Sequence, residues 1–73
     1  METKIIEVSQ DEMVNVYEFG DLYTTYLTCK KVAKGKNYYI ITYGDNEINF
    51  YPTAYFQVEI VKYVKLWETK RYA

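Results

Sequence analysis

Residues 34–52, K-G-K-N-Y-Y-I-I-T-Y-G-D-N-E-I-N-F-Y-P, place two short polar breaks around runs of β-branched and aromatic residues. The breaks are Lys34-Gly35-Lys36-Asn37 and Gly44-Asp45-Asn46-Glu47. Glycine and asparagine accept the positive φ that tight hairpins require. The flanking residues suit a pleated, half-buried surface. Two such breaks join three strands into a meander. The first strand is long, Leu22 to Val32; the second is Tyr38 to Tyr43, apolar on both faces; the third is Ile48 to Tyr51, with Ile48 and Phe50 on one side. Pro52 ends it, because proline cannot donate to a sheet ladder.

Beyond Pro52, the segment Pro52-Thr53-Ala54 reads as a turn or one turn of 3₁₀ helix, and Phe56 to Leu66 as the last strand. Phe56, Val58 and Ile60 alternate with Gln57 and Glu59, then the phase slips, which predicts a bulge or bend after Ile60. A helix is the rival here, since Phe56, Ile60, Tyr63 and Trp67 lie three or four apart. The density of Val and Ile favours the strand. On the other side, Ser9-Gln10-Asp11-Glu12 fits a capping box, with Val8 and Met13 at the staple positions. This predicts a short helical turn, then a strand from Val14 to Phe19 and a turn at Phe19-Gly20-Asp21. Lys4 to Val8 is an optional edge strand beyond these five. The expected fold is all-β with a minor helical turn: a single domain over residues 1–73, five antiparallel strands in a meander curled on itself. In architecture it resembles SH3-like or Sm-like barrels, which serve many unrelated functions.

At 73 residues the chain is near the lower limit for a core without staples. Cys29 is the only cysteine, so no internal disulfide forms, and the absence of histidine removes the commonest zinc ligand. Packing must hold the fold, and ten tyrosines help to supply it. They cannot all be buried, because each buried hydroxyl needs a partner. Some rings therefore belong on the surface, where tyrosine serves protein contacts. No stretch approaches the ~20 apolar residues of a membrane span, and Met1 to Gln10, with Glu2 and Glu7, lacks the apolar region of a signal peptide. A lone thiol suits a reducing cytoplasm, the cell's own or a host's. Charge is uneven: six acids face Lys4 alone in residues 1–21, a net −5, against +4 in residues 22–73.

Acid–base catalysis at neutral pH most often uses histidine, and Cys29 has none to activate it. Cys29 reads as a packed apolar residue. Asp45 and Glu47 are ordinary turn formers, without the spaced oxygens of a calcium loop. The three glycines sit in turns, not in a phosphate-cradling loop. No enzyme activity, cofactor or metal is expected.

The leading expectation is a non-catalytic protein-binding module that works by occluding a surface. Its specific form is an inhibitor, encoded by a phage or plasmid, of a host defence protein. The candidate contact residues are Tyr23, Tyr26, Tyr39, Tyr43, Tyr55 and Trp67. Trp67 neighbours a basic group, Lys62, Lys65, Lys70 and Arg71, and Trp and Arg recur at interface hot spots. The alternative is a single-stranded nucleic-acid binder using Lys30, Lys31, Lys34 and Lys36 around Tyr38, lysines among stacking rings. Lys34 to Tyr38 resembles the start of an RNP1 motif, but Lys36 stands where an aromatic belongs. A pI of about 5.3 also opposes it. Lysine at a hairpin tip has another use, in discouraging edge-to-edge aggregation. A homo-oligomer paired through edge strands is compatible with either reading.

Overall fold

The computed structural model describes residues 3–62 and the backbone of 69–72. Its strands are β1 (Lys4–Glu7), β2 (Glu12–Glu18), β3 (Asp21–Tyr26), β4 (Cys29–Lys34), β5 (Tyr38–Tyr43), β6 (Glu47–Pro52), β7 (Phe56–Lys62) and β8 (Thr69–Tyr72). They form two four-stranded antiparallel sheets, ordered β1-β4-β5-β6 and β3-β2-β7-β8. No helix occurs among the described residues, so none there is long and apolar enough to cross a membrane.

The all-β, antiparallel expectation holds; the five-stranded meander curled into an SH3-like or Sm-like barrel does not, since the strands form two separate sheets. The long run Leu22 to Val32 is two strands, broken at Leu27-Thr28, and the break carries the chain from one sheet to the other. β1 then pairs with β4, and β2 with β7, so spatial order departs from chain order. The meander survives only as β4-β5-β6. Gly44 and Asn46 turn its second hairpin with positive φ, as their residue types anticipate.

The expected helical turn at Ser9 is also corrected. The Glu12 carboxylate accepts the Ser9 N–H at 3.0 Å, as a capping box would have it. However, the Glu12 N–H donates to the Ser9 carbonyl at 3.1 Å and the chain goes straight into β2. The box closes a tight turn between strands. Val14 and Val16, poor helix formers, are instead completely buried in the central strand of their sheet.

The slip after Ile60 is not a bulge. β7 stays in register with β2 from Phe56 to Lys62. Val61 is buried as well as Ile60, so β7 turns buried side chains to both faces of its sheet. The expected continuation to Leu66 reaches residues 63–66, which lie outside the described ones. The register does shift at Val16/Tyr17 against β3 and at Cys29/Lys31 against β5.

One core lies between the sheets. Val14, Val16, Val58 and Ile60 come from one side, and Val32, Tyr39, Ile41 and Tyr51 from the other. Tyr26 and Phe56 close one flank with their rings: Tyr51 meets Phe56 at 5.1 Å and Tyr26 at 6.4 Å between centroids. Cys29 belongs to the core, its Sγ 3.4 Å from the Thr42 carbonyl.

Candidate protein-binding surface

β2 and β3 are joined by two residues, Phe19 and Gly20, with φ of 49° and 85°. Positive φ at both central positions is the requirement of a type I′ turn, which Asn-Gly satisfies at least cost. A phenylalanine there is strained, since its Cβ crowds the following carbonyl. The ring gains little from the fold, being 75% exposed. Its aromatic neighbour among the described residues is Tyr55, from the turn between β6 and β7, packed edge-on at a centroid distance of 5.7 Å. The Phe19 N–H donates to the Tyr55 carbonyl at 3.3 Å, tying the two turns together.

Beneath the tip, Glu18 and Asp21 face each other in register. Like charges directly opposed across a ladder are destabilising. The register shift leaves Tyr23 without a partner on β2. Its ring turns to Phe56 at 5.3 Å and Tyr51 at 6.1 Å, yet more than half of it stays exposed. Phe19 and Tyr55 thus form an aromatic tip with two carboxylates at its base, while Tyr23 packs lower down, against the flank of the core.

The other candidate contact residues lie elsewhere. Tyr39 is 3% exposed and belongs to the core, with the Lys34 ammonium 5.7 Å from its ring centre. Tyr26 and Tyr43 are half-buried and pack against each other at 4.9 Å. The Tyr26 hydroxyl bonds the Tyr51 hydroxyl and accepts from Asn49 Nδ2 at 2.8 Å. Burial first, and the bond to Tyr26 second, push the Tyr51 hydroxyl well above the usual phenol range. These rings hold the sheets together. Trp67 lies outside the described residues. Phe19 was legible in the sequence only as a turn residue; its signal is a bulky side chain where the turn prefers asparagine.

The four lysines do not converge. Lys31 points away from the core, in register with Glu7 and Thr42. Lys34 points toward the other sheet, beside Tyr39. Lys30 sits at the register shift and donates to Asn46 Oδ1 at 3.1 Å, while exposed Lys36 is in the β4–β5 turn. Tyr38 is on the outer face of its sheet, its ring tilted against Phe50 at 6.2 Å.

Two groups bear on catalysis. The Cys29 thiol lines a cleft with Val8, Leu27 and Lys30, but burial pushes its pKa up to about 11, so it is not a thiolate at neutral pH. Glu59 is a buried carboxylate that sequence reading passed over. One of its oxygens accepts from Asn15 Nδ2 at 3.1 Å and from the Tyr17 hydroxyl at 2.9 Å, and Thr25 Oγ1 donates to Asn15 Oδ1 at 2.8 Å. The arrangement secures β3, β2 and β7 to one another. Among the described residues no cluster of acids, cysteine or histidine could hold a metal.

Compared with known proteins, the chain matches no protein-family model, no curated protein and no solved structure.

Proposed function

We propose that the protein is a non-catalytic binding module that occludes a surface of a partner protein, with the β2–β3 hairpin tip as its contact. The observation that carries this reading is Phe19. A large apolar ring is held in the left-handed region, mostly in water, above a pair of opposed carboxylates. Each feature opposes folding, and strain of this kind collects at functional sites. A two-residue turn braced by Tyr55 presents the ring rigidly, so little rotamer freedom is lost on contact. Burying the exposed part of such a ring contributes roughly 3 kcal/mol before ordering costs. Glu18 and Asp21 favour a pocket with cationic rims. In its most specific form the module is an inhibitor carried by a phage or plasmid, acting on a defence protein in a host cytoplasm. Small size and the lack of histidine support that form.

The nucleic-acid reading has weaker support, since Lys31 and Lys34 lie on opposite faces of one strand. The deciding experiment is capture from bacterial lysate by the tagged chain, with high-salt and nuclease washes, in parallel with Phe19→Asn. The reading expects one protein retained by the parent and lost by the variant. Retention by both, or loss of all captured protein on nuclease treatment, rejects it.

A further inference from the structure

The face of the β1-β4-β5-β6 sheet that points away from the core is apolar as well. Ile5, Ala33, Ile40 and Phe50 stand in one register row across all four strands. They alternate with Ile6, Val32, Ile41 and Tyr51, which face the core. An antiparallel sheet with one solvated face ordinarily turns polar residues outward. Here Ile5 is 61% and Phe50 62% exposed, while Ile48 and Tyr38 extend the patch on either side of the row.

We infer that this face binds a second copy of the chain, giving a twofold-symmetric dimer packed sheet on sheet. Three observations select a copy as the occupant. The first is shape. Ala33 and Ile40 are cross-strand neighbours in the middle of the row, so a hollow adjoins a ridge. A twofold axis parallel to the strands, between β4 and β5, lays each Ile40 into the partner's hollow at Ala33 and sets Ile5 against Phe50. This is an isologous, closed contact. The second is charge. In the next row Glu7 stands in register with Lys31, so the acid and base neutralise each other within one copy and the row brings no net charge to the contact. The third is area. Ile5, Tyr38, Ile48 and Phe50, the exposed apolar side chains of this face, offer roughly 400 Å² per copy, the size of a monomer's largest patch. With the flanking stems, two copies bury about 1,000 Å², the lower bound of a specific interface. That size fits a dimer of micromolar affinity rather than an obligate one. The contact uses the sheet face, not the edge strands, and is independent of the hairpin tip.

The test is sedimentation velocity of the full chain from roughly 5 to 500 µM, spanning the micromolar range. A reversible monomer–dimer equilibrium is expected, and Phe50→Lys abolishes it with an unchanged melting temperature. Ala33→Ile and Ile40→Ala each weaken the dimer about tenfold or more, the equivalent of ~1.4 kcal/mol. The double variant restores it to within about threefold, because the ridge and hollow have exchanged places in both copies. Phe19→Asn leaves the dimer intact, which separates this inference from the proposed partner contact. A parent that stays monomeric throughout, a dimer that survives Phe50→Lys, or a double variant no better than either single one overturns it.

Discussion

Phe19 and Tyr55, from two different turns, meet edge-on at 5.7 Å, and the backbone N–H of the first donates to the carbonyl of the second. Both stay largely exposed, Phe19 more than Tyr55. The contact fixes the direction of the hairpin tip more than it stabilises the fold, because an aromatic pair this exposed contributes at the low end of ~0.5–1.5 kcal/mol.

Phe19→Asn therefore stabilises the protein. Relief of the left-handed strain, ~1–2 kcal/mol, exceeds the lost ring contact. The net gain is about 0.5–1 kcal/mol, a rise in melting temperature of a few degrees for a domain this small. Thermal unfolding followed by circular dichroism measures it. A lower melting temperature would mean that the Tyr55 contact dominates.

The two faces of the β1-β4-β5-β6 sheet respond differently to truncation. Ile41→Ala opens a cavity in the core and costs about 2–5 kcal/mol, a large share of the ~4–11 kcal/mol available to a chain of this length. Phe50→Ala, on the outer face, changes stability by less than about 0.5 kcal/mol. Urea unfolding at low protein concentration, where any dimer is dissociated, compares them directly.

Stability falls at high pH for two reasons that can be separated. The Cys29 thiol is raised by burial to about 11, and the Tyr51 hydroxyl is raised further by burial and by its bond to Tyr26. In both cases the folded state holds the proton more tightly than the unfolded chain. Their contribution is complete below the unfolded values, near 8.5 for a thiol and 10 for a phenol, and is lost as pH rises toward the folded values. Urea midpoints should stay level up to about pH 8.5 and then decline. Cys29→Ala flattens the early part of the decline up to about pH 11, and Tyr51→Phe flattens the later part.

Because the lysines are divided between faces, a labelled single-stranded oligonucleotide should show no salt-sensitive binding. Fluorescence anisotropy at low salt tests this. A steep loss of binding as salt increases, abolished by charge reversal at Lys30, Lys31, Lys34 and Lys36, would restore the nucleic-acid reading.

Several strands were legible because their signal is local. Tyr38–Tyr43 and the turns at Gly20 and Gly44 follow from alternation and backbone preference. The pairing of strands was not, because it depends on distant partners. Nothing within Leu22 to Val32 marks Leu27-Thr28 as a crossing between sheets; no glycine or proline stands there. The candidate site was legible in part. Tyr23 and Tyr55 are exposed and Tyr39 is core, since alternation assigns a residue to a face without saying which face meets water. The outward row of Ile5, Ile40 and Phe50 was hidden for the same reason. Until β1 is known to lie beside β4, Ile5 is one isoleucine among several.

The crossing at Leu27-Thr28 also governs how the molecule acquires its shape. The strands β4, β5 and β6 are neighbours in the chain and can zip in sequence, whereas β2 must find β7 with the whole of that meander in between. Non-local pairing of this kind slows folding into the millisecond-to-second range. The β4-β5-β6 meander is then the expected nucleus, and the β2–β7 pairing the expected late step. Substitutions at Val32 or Ile41 should retard refolding, while those at Val58 or Ile60 should mainly hasten unfolding.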